Sequence, residues 1–242
     1  MKKIISLSGL MGSGKDTVAS ILIKDYGYVK LSFSKALKDM IAAIFGWERA
    51  LLEGDTNESR LWRDVEDKWW TGRLDFGVPI TPRWVLQHVA TEVMRQRFHP
   101  DIWILAVEKE LAQSKQPIVI TDARFFNELS MLRYSGARIV GVHRRLPPNL
   151  DKFYRSVEED LMGMGYSALM HVRIHGKDHT DNAIRSNQRT ISGLGAKHCH
   201  LLGAAAKHQS EWEHLLWNNY DTHVANTGTL QELRERAIAL PF

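Results

Sequence analysis

The chain has one cysteine, Cys199, among 242 residues. It can form no internal disulfide, which excludes the small, disulfide-stapled secreted class. Long apolar runs are missing too: none approaches the roughly 20 residues that a membrane-spanning helix needs. The first ten residues, MKKIISLSGL, start like a signal peptide, but the glycine-rich GSGKD interrupts them at once. There is no internal repeat and no low-complexity tract. A hydrophobic content of 44% with 25% charged residues is ordinary for a globular protein and excludes wholesale disorder. A soluble protein of the cytoplasm is expected, long enough to bury its core without staples.

Charge of either sign is barely in excess. The balance is +4, from 32 basic and 28 acidic side chains, and all of it is local. Between Leu161 and Ser210 stand Arg173, Lys177, Arg185, Arg189, Lys197 and Lys207 against Asp178 and Asp181, with six of the eleven histidines. Taken alone, that stretch suggests contact with nucleic acid or polyphosphate.

Elsewhere the chain alternates between strand and helix patterns. Lys3 to Ser8 reads as a buried parallel strand. A helix carrying Val18, Ala19, Ile21, Leu22 and Ile23 follows, ending near Gly27. Tyr28 to Phe33 reads as a strand and Lys35 to Phe45 as a helix stopped by Gly46. Residues 46–80 are rich in Trp, Asp, Glu and Arg with weak periodicity, an irregular or helical excursion. Thr81 caps a helix that starts at Pro82 and runs to about Phe98, and Asp101 opens another, to Leu111. Pro117 to Thr121 is the clearest strand. Phe125 to Tyr134 reads as helix and Arg138 to Val142 as strand. Pro147-Pro148 breaks the rhythm until a helix near Ser210 to Trp217, a strand at Thr222 to Ala225 and a last helix from Thr229 to Leu240. The expectation is an α/β chain: a mostly parallel five-stranded sheet with helices on both faces.

Gly9 to Thr17, GLMGSGKDT, fits G-x-x-x-x-G-K and lies between a strand and a helix, the context that gives the pattern meaning. Glycines let backbone N–H groups curl around a phosphate, and the helix N-terminus adds a favourable dipole. Gly12, Ser13, Gly14, Lys15, Asp16 and Thr17 are therefore candidate ATP-binding residues, with Lys15 reaching the β- and γ-phosphates. Asp16 stands where Ser or Thr usually ligates Mg²⁺, so the metal candidates are Asp16, directly or through water, and Thr17. Asp122, at the end of the Ile118 strand, is a third, as a Walker-B-type carboxylate; capping the next helix is its other reading. A phosphorylated acceptor needs basic side chains, for which Lys38, Arg83 and Arg124 are candidates.

These residues resemble, block by block, the deoxynucleoside monophosphate kinases of tailed bacteriophages. Leu7 to Thr17 is similar to that family's loop, including Lys-Asp-Thr. The similar blocks continue with Phe33 to Asp39, Pro82 to Gln87 through Thr91, Asp101 to Trp103, Ile120 to Glu128 with its Asp-x-Arg-x-x-x-Glu, His208 to Glu211, and Val224 to Leu233. The resemblance covers about half the chain, in order. It implies the three-layer P-loop NTPase fold and a single kinase domain over 1–242, with 46–80 on the acceptor side and 147–207 as an enlarged, inserted lid. It also implies transfer of the ATP γ-phosphoryl group to a deoxynucleoside monophosphate, with Mg²⁺. Lys38, Arg83, Asp122, Arg124 and Glu128 would surround the acceptor phosphate, Trp103 would pack by its base or in the core, and Asn226 would line the adenine pocket. Arg144 or Arg145 would serve as the lid arginine, and the basic 161–210 stretch would meet polyphosphate rather than DNA. The partners implied are nucleotides, not membranes; a homodimer is left open. The alternatives are a phosphomevalonate- or dephospho-coenzyme A-type kinase, and a nucleotide-binding module that contacts DNA. A zinc site on His198, Cys199 and His200, or on His171, His175 and His179, has workable spacing.

Overall fold

The computed structural model describes residues 3–10, 12–144, 149–164, 182–202 and 220–240, with the backbone alone for 182–189. In chain order the elements are β1 (Ile4–Ser8), α1 (Lys15–Tyr26), β2 (Val29–Leu31), α2 (Lys35–Phe45), α3 (Asn57–Trp62), α4 (Lys68–Thr71) and α5 (Pro82–His88). A π-helix over Val89–Phe98 comes next, then α6 (Ile102–Gln113), β3 (Ile118–Ile120), α7 (Phe126–Tyr134) and β4 (Arg138–His143). They end with α8 (Leu150–Gly163), α9 (Asn182–His198), β5 (Thr222–Ala225) and α10 (Leu230–Ile238).

The chain divides into two compact units, residues 33–112 being inserted into the rest. The larger unit holds one sheet in the order β2-β3-β1-β4-β5, parallel at every pairing. Every residue of β1 is buried, as befits a central strand covered on both sides. Alternate residues of the strands, Ile5, Leu7, Val119, Val140, Val142 and Val224, join Val18, Ala19 and Leu22 of α1 and Leu233 and Ala237 of α10 in one core. Right-handed crossovers send β1 to β2 in one direction and β3 to β4 in the other, so α1 and α7 cover opposite faces. The winding thus reverses between β1 and β3, and an open α/β sheet binds ligands at the carboxyl ends of the strands at such a reversal. This is the three-layer P-loop α/β fold expected from the sequence.

The second unit begins at Phe33 and ends at Ala112. Thr81 accepts a hydrogen bond from the Trp84 N–H and Pro82 takes the first turn, which starts α5 where the sequence placed it. The helix reaches Phe98 as expected, but its last ten residues are wound as a π-helix. Within the excursion, α3 starts on the reciprocal Thr56–Ser59 cap and α4 on Asp67, whose carboxylate also accepts the indole N–H of Trp47. Phe45 stacks on Trp47 at 4.5 Å and lies 4.7 Å from Trp70. The tryptophans that obscure periodicity in the sequence are what packs this segment.

The sequence shows no strand–helix rhythm between 147 and 207. The described part of that stretch contains α8, α9 and a short 3₁₀ turn at Cys199–Leu202. Leu150, Phe153, Val157 and Leu161 form the buried stripe of α8, a spacing that is readable in the sequence once the Pro147-Pro148 break is passed. The helix expected near Ser210 to Trp217 lies outside the described residues, as do Arg145, His171, His175 and His179.

Candidate active site

The loop that follows β1 is held in shape by its neighbours. Gly9 has φ 152°, and a side chain there would run into the Val142 carbonyl of β4. Gly14, at φ 103°, begins α1 with no side-chain cap, leaving the first-turn N–H groups for an anion. A side chain at Gly14 would strike the Asn226 amide. Asn226 is 5% exposed, and its Nδ2 donates to the Ser13 carbonyl at 2.9 Å. Expected at the donor base, it braces the loop from behind. Lys15 Nζ donates to the carbonyls of Gly9 at 2.7 Å and Leu10 at 2.8 Å.

Asp16, in the first turn of α1, accepts from Lys30 Nζ and from Thr121 Oγ1 on the same oxygen, each at 3.0 Å. Partial burial pushes its carboxyl up. The Lys30 ammonium, the Thr121 hydroxyl and the charge of Lys15 outweigh that effect and hold it below the usual range. Asp122 follows Thr121 at the end of β3, and its Oδ2 accepts from Ser32 Oγ at 2.7 Å. Sequence reasoning missed Lys30, Ser32 and Thr121. The signal for Lys30 was a lysine inside an otherwise apolar strand.

Arg124 is half-buried beside Asp122. Glu128 is 2% exposed, and its carboxylate accepts from the backbone N–H groups of Arg124 at 2.7 Å and Phe125 at 3.1 Å, capping α7. Arg144 is exposed just past β4. A cavity of about 100 Å³ abuts the loop, lined among others by Ser8, Ser13, His143, Tyr154, Tyr220 and His223. Tyr220 and Ser8 hydroxyls lie 3.4 Å apart. Burial raises the Tyr220 phenol and, with Tyr220 and Asp151 nearby, pushes Tyr154 up to about 12. Desolvation and then His143 lower His223, so all three are neutral near pH 7.

In the second unit, Lys38 Nζ donates to Glu53 at 2.6 Å. Arg83 pairs bidentately with Asp64, at 2.5 and 2.9 Å. Trp103 is 5% exposed and donates its indole N–H to the Ala90 carbonyl in the π-helix, a core position.

Among the described residues no three His, Cys, Asp or Glu side chains converge as a protein-only metal cage requires. His198 pairs with Asp160, while Cys199 and His200 bond to the carbonyls of Ala196 and Lys197. A magnesium ion that arrives on a nucleotide needs only one or two protein oxygens, and Asp16, Thr17 and Asp122 fit that lesser demand. No described helix is long and apolar enough to cross a membrane.

A glycine loop opening α1, its lysine, and a carboxylate just past the neighbouring strand β3 at the winding reversal together define a P-loop nucleotide-binding protein. No protein-family model matches the chain. It is 29% identical to the deoxynucleoside-5'-monophosphate kinase of Escherichia phage T5, over 55% of this chain and 72% of that protein. It is 30% identical to a protein of Acanthamoeba polyphaga mimivirus assigned as a deoxynucleotide monophosphate kinase, over 58% of this chain and 74% of that one. The chain belongs to this family of deoxynucleotide monophosphate kinases. Among solved structures, a Thermus thermophilus protein superposes with TM-score 0.40 at 19% identity, covering 98% of this chain and 94% of that one. Dephospho-CoA kinase from Campylobacter jejuni gives TM-score 0.38 at 12% identity with the same coverage. Both likenesses are too slight to bear on function.

Proposed function

We propose that the chain transfers the γ-phosphoryl group of ATP to the 5'-phosphate of a deoxynucleoside monophosphate, giving ADP and the deoxynucleoside diphosphate. An oxygen of the acceptor phosphate attacks the γ-phosphorus, and the bond from that phosphorus to the β–γ bridging oxygen breaks. The observation that carries the reading is the glycine loop with Lys15 after β1, next to the strand β3 that leads to Asp122, in a chain whose relatives are named for this chemistry.

Phosphoryl transfer depends on positioning and charge stabilisation more than on covalent work by side chains. In this reading the α1 N-terminus and Lys15 hold the donor phosphates. Magnesium supplies charge neutralisation on the β- and γ-phosphates when bound, with Thr17 and Asp122 as its protein oxygens and Asp16 beside them. Lys38 and Arg83 hold the acceptor phosphate, which must displace Glu53 from Lys38 and Asp64 from Arg83. Arg144 belongs to the lid arm that excludes water from the reaction.

The test is a panel of ribo- and deoxyribonucleoside monophosphates assayed with ATP and magnesium. Phosphorylation of at least one deoxynucleotide is expected, with a loss of about a hundredfold or more in Lys15→Ala. A panel without turnover sinks the reading, and salt-sensitive DNA binding in its place favours the nucleic-acid module.

A further inference from the structure

The loop carries a carboxylate where a neutral hydroxyl is usual, and this sets an electrostatic problem. Asp16 gains from its place in the first turn of α1. The same place puts its negative charge beside whatever phosphates the loop holds, and like charges a few ångströms apart repel. Lys30 answers that problem in the geometry. It comes from β2, where its register partner is Val119 on β3, and its ammonium lies 3.0 Å from Asp16 Oδ1. Thr121, two residues beyond Val119, donates to the same oxygen, and Ser32, two beyond Lys30, donates to Asp122. The β2 segment thus reaches both the loop's carboxylate and the Walker-B-type carboxylate, through Lys30 and Ser32, and the end of β3 adds Thr121 to the first. The Lys30 and Asp16 side chains are 45% and 66% exposed, and an ion pair that open adds little to fold stability. Its value lies in what it does to the charge at the loop.

We propose that Lys30 is a positioning and charge-compensating residue of the donor site, coupled to Asp16, so that the pair presents polyphosphate with the net charge of an ordinary hydroxyl-bearing loop. The inference rests on reading the loop as the donor-nucleotide site. It is tested by equilibrium ATP titration of the full-length chain without acceptor, for the wild type, Lys30→Ala, Lys30→Arg, Asp16→Ser and the Lys30→Ala/Asp16→Ser double variant. Lys30→Ala should weaken ATP binding about tenfold, because it leaves Asp16 uncompensated. Asp16→Ser leaves the Lys30 charge unopposed and supplies the second background, its own affinity being measured first. Removing the carboxylate as well, in the double variant, should recover most of what Lys30→Ala loses, because the net charge of the pair returns to zero. Lys30→Arg should recover most of the affinity. Thermal midpoints are recorded throughout, and Lys30→Met takes the place of Lys30→Ala if the latter fails to fold. A double variant that binds no more tightly than Lys30→Ala, or no loss in Lys30→Ala itself, overturns this inference while leaving the donor site intact. A wild-type chain that binds no ATP overturns both.

Discussion

Single residues around the loop separate backbone strain from collision. Gly12 and Gly14 both have positive φ, 76° and 103°, but a side chain at Gly12 meets nothing within 4 Å, whereas one at Gly14 meets Asn226. Gly12→Ala should therefore cost about 1–2 kcal/mol from strain alone. Gly14→Ala should cost more and should also weaken ATP binding, because Asn226 can no longer hold the Ser13 carbonyl. Thermal midpoints and ATP titrations of the two variants give the comparison, and equal effects would refute the collision account. At this scale the sequence was legible where chemistry is local. Lys15 and Asp122 could be picked out because one opens a helix after a glycine loop and the other follows a strand, each in a recognisable context. Lys30 and Thr121 could not, since their meeting at Asp16 depends on the register of β2 against β3. Glu128 was read as a substrate ligand, and the structure puts it at the start of α7 bonded to two backbone N–H groups. A carboxylate three residues into a helix suits either role until its partners are seen.

Among the elements, α8 changes most between expectation and structure. Phe153 and Val157 are fully buried, and the helix packs chiefly against α9. Phe153→Ala should cost about 3–5 kcal/mol, and Met162→Ala, on the exposed side of the same helix, about 0.5 kcal/mol or less. Urea denaturation of both variants measures the contrast, and similar midpoints would contradict the packing described. Elements with plain punctuation were readable: Gly27 and Gly46 end α1 and α2 in the left-handed conformation, and Thr81-Pro82 starts α5. The π winding of Val89–Phe98 was not, because its composition suits an α-helix equally well. Nor was α3 or α4, each too short to establish a period.

For the whole molecule, the division into two units was the feature least visible in the sequence. Nothing in composition marks Phe33 or Ala112 as a boundary, and strand and helix signals run straight through both. The division predicts departure from two-state unfolding. Six of the eight tryptophans (Trp47, Trp62, Trp69, Trp70, Trp84 and Trp103) lie in the second unit, whereas the sheet lies wholly in the first. Melting followed by tryptophan fluorescence and by far-ultraviolet circular dichroism should give different midpoints, and ATP should raise the one that reports the sheet. Coincident curves that ATP shifts together would show a single cooperative body. The uneven placement of indoles also has an optical consequence. With six of its eight indoles in the unit that carries Lys38 and Arg83, intrinsic fluorescence reports mainly on that unit. Acceptor binding could then be followed by quenching in unlabelled protein, in cuvettes already saturated with ATP.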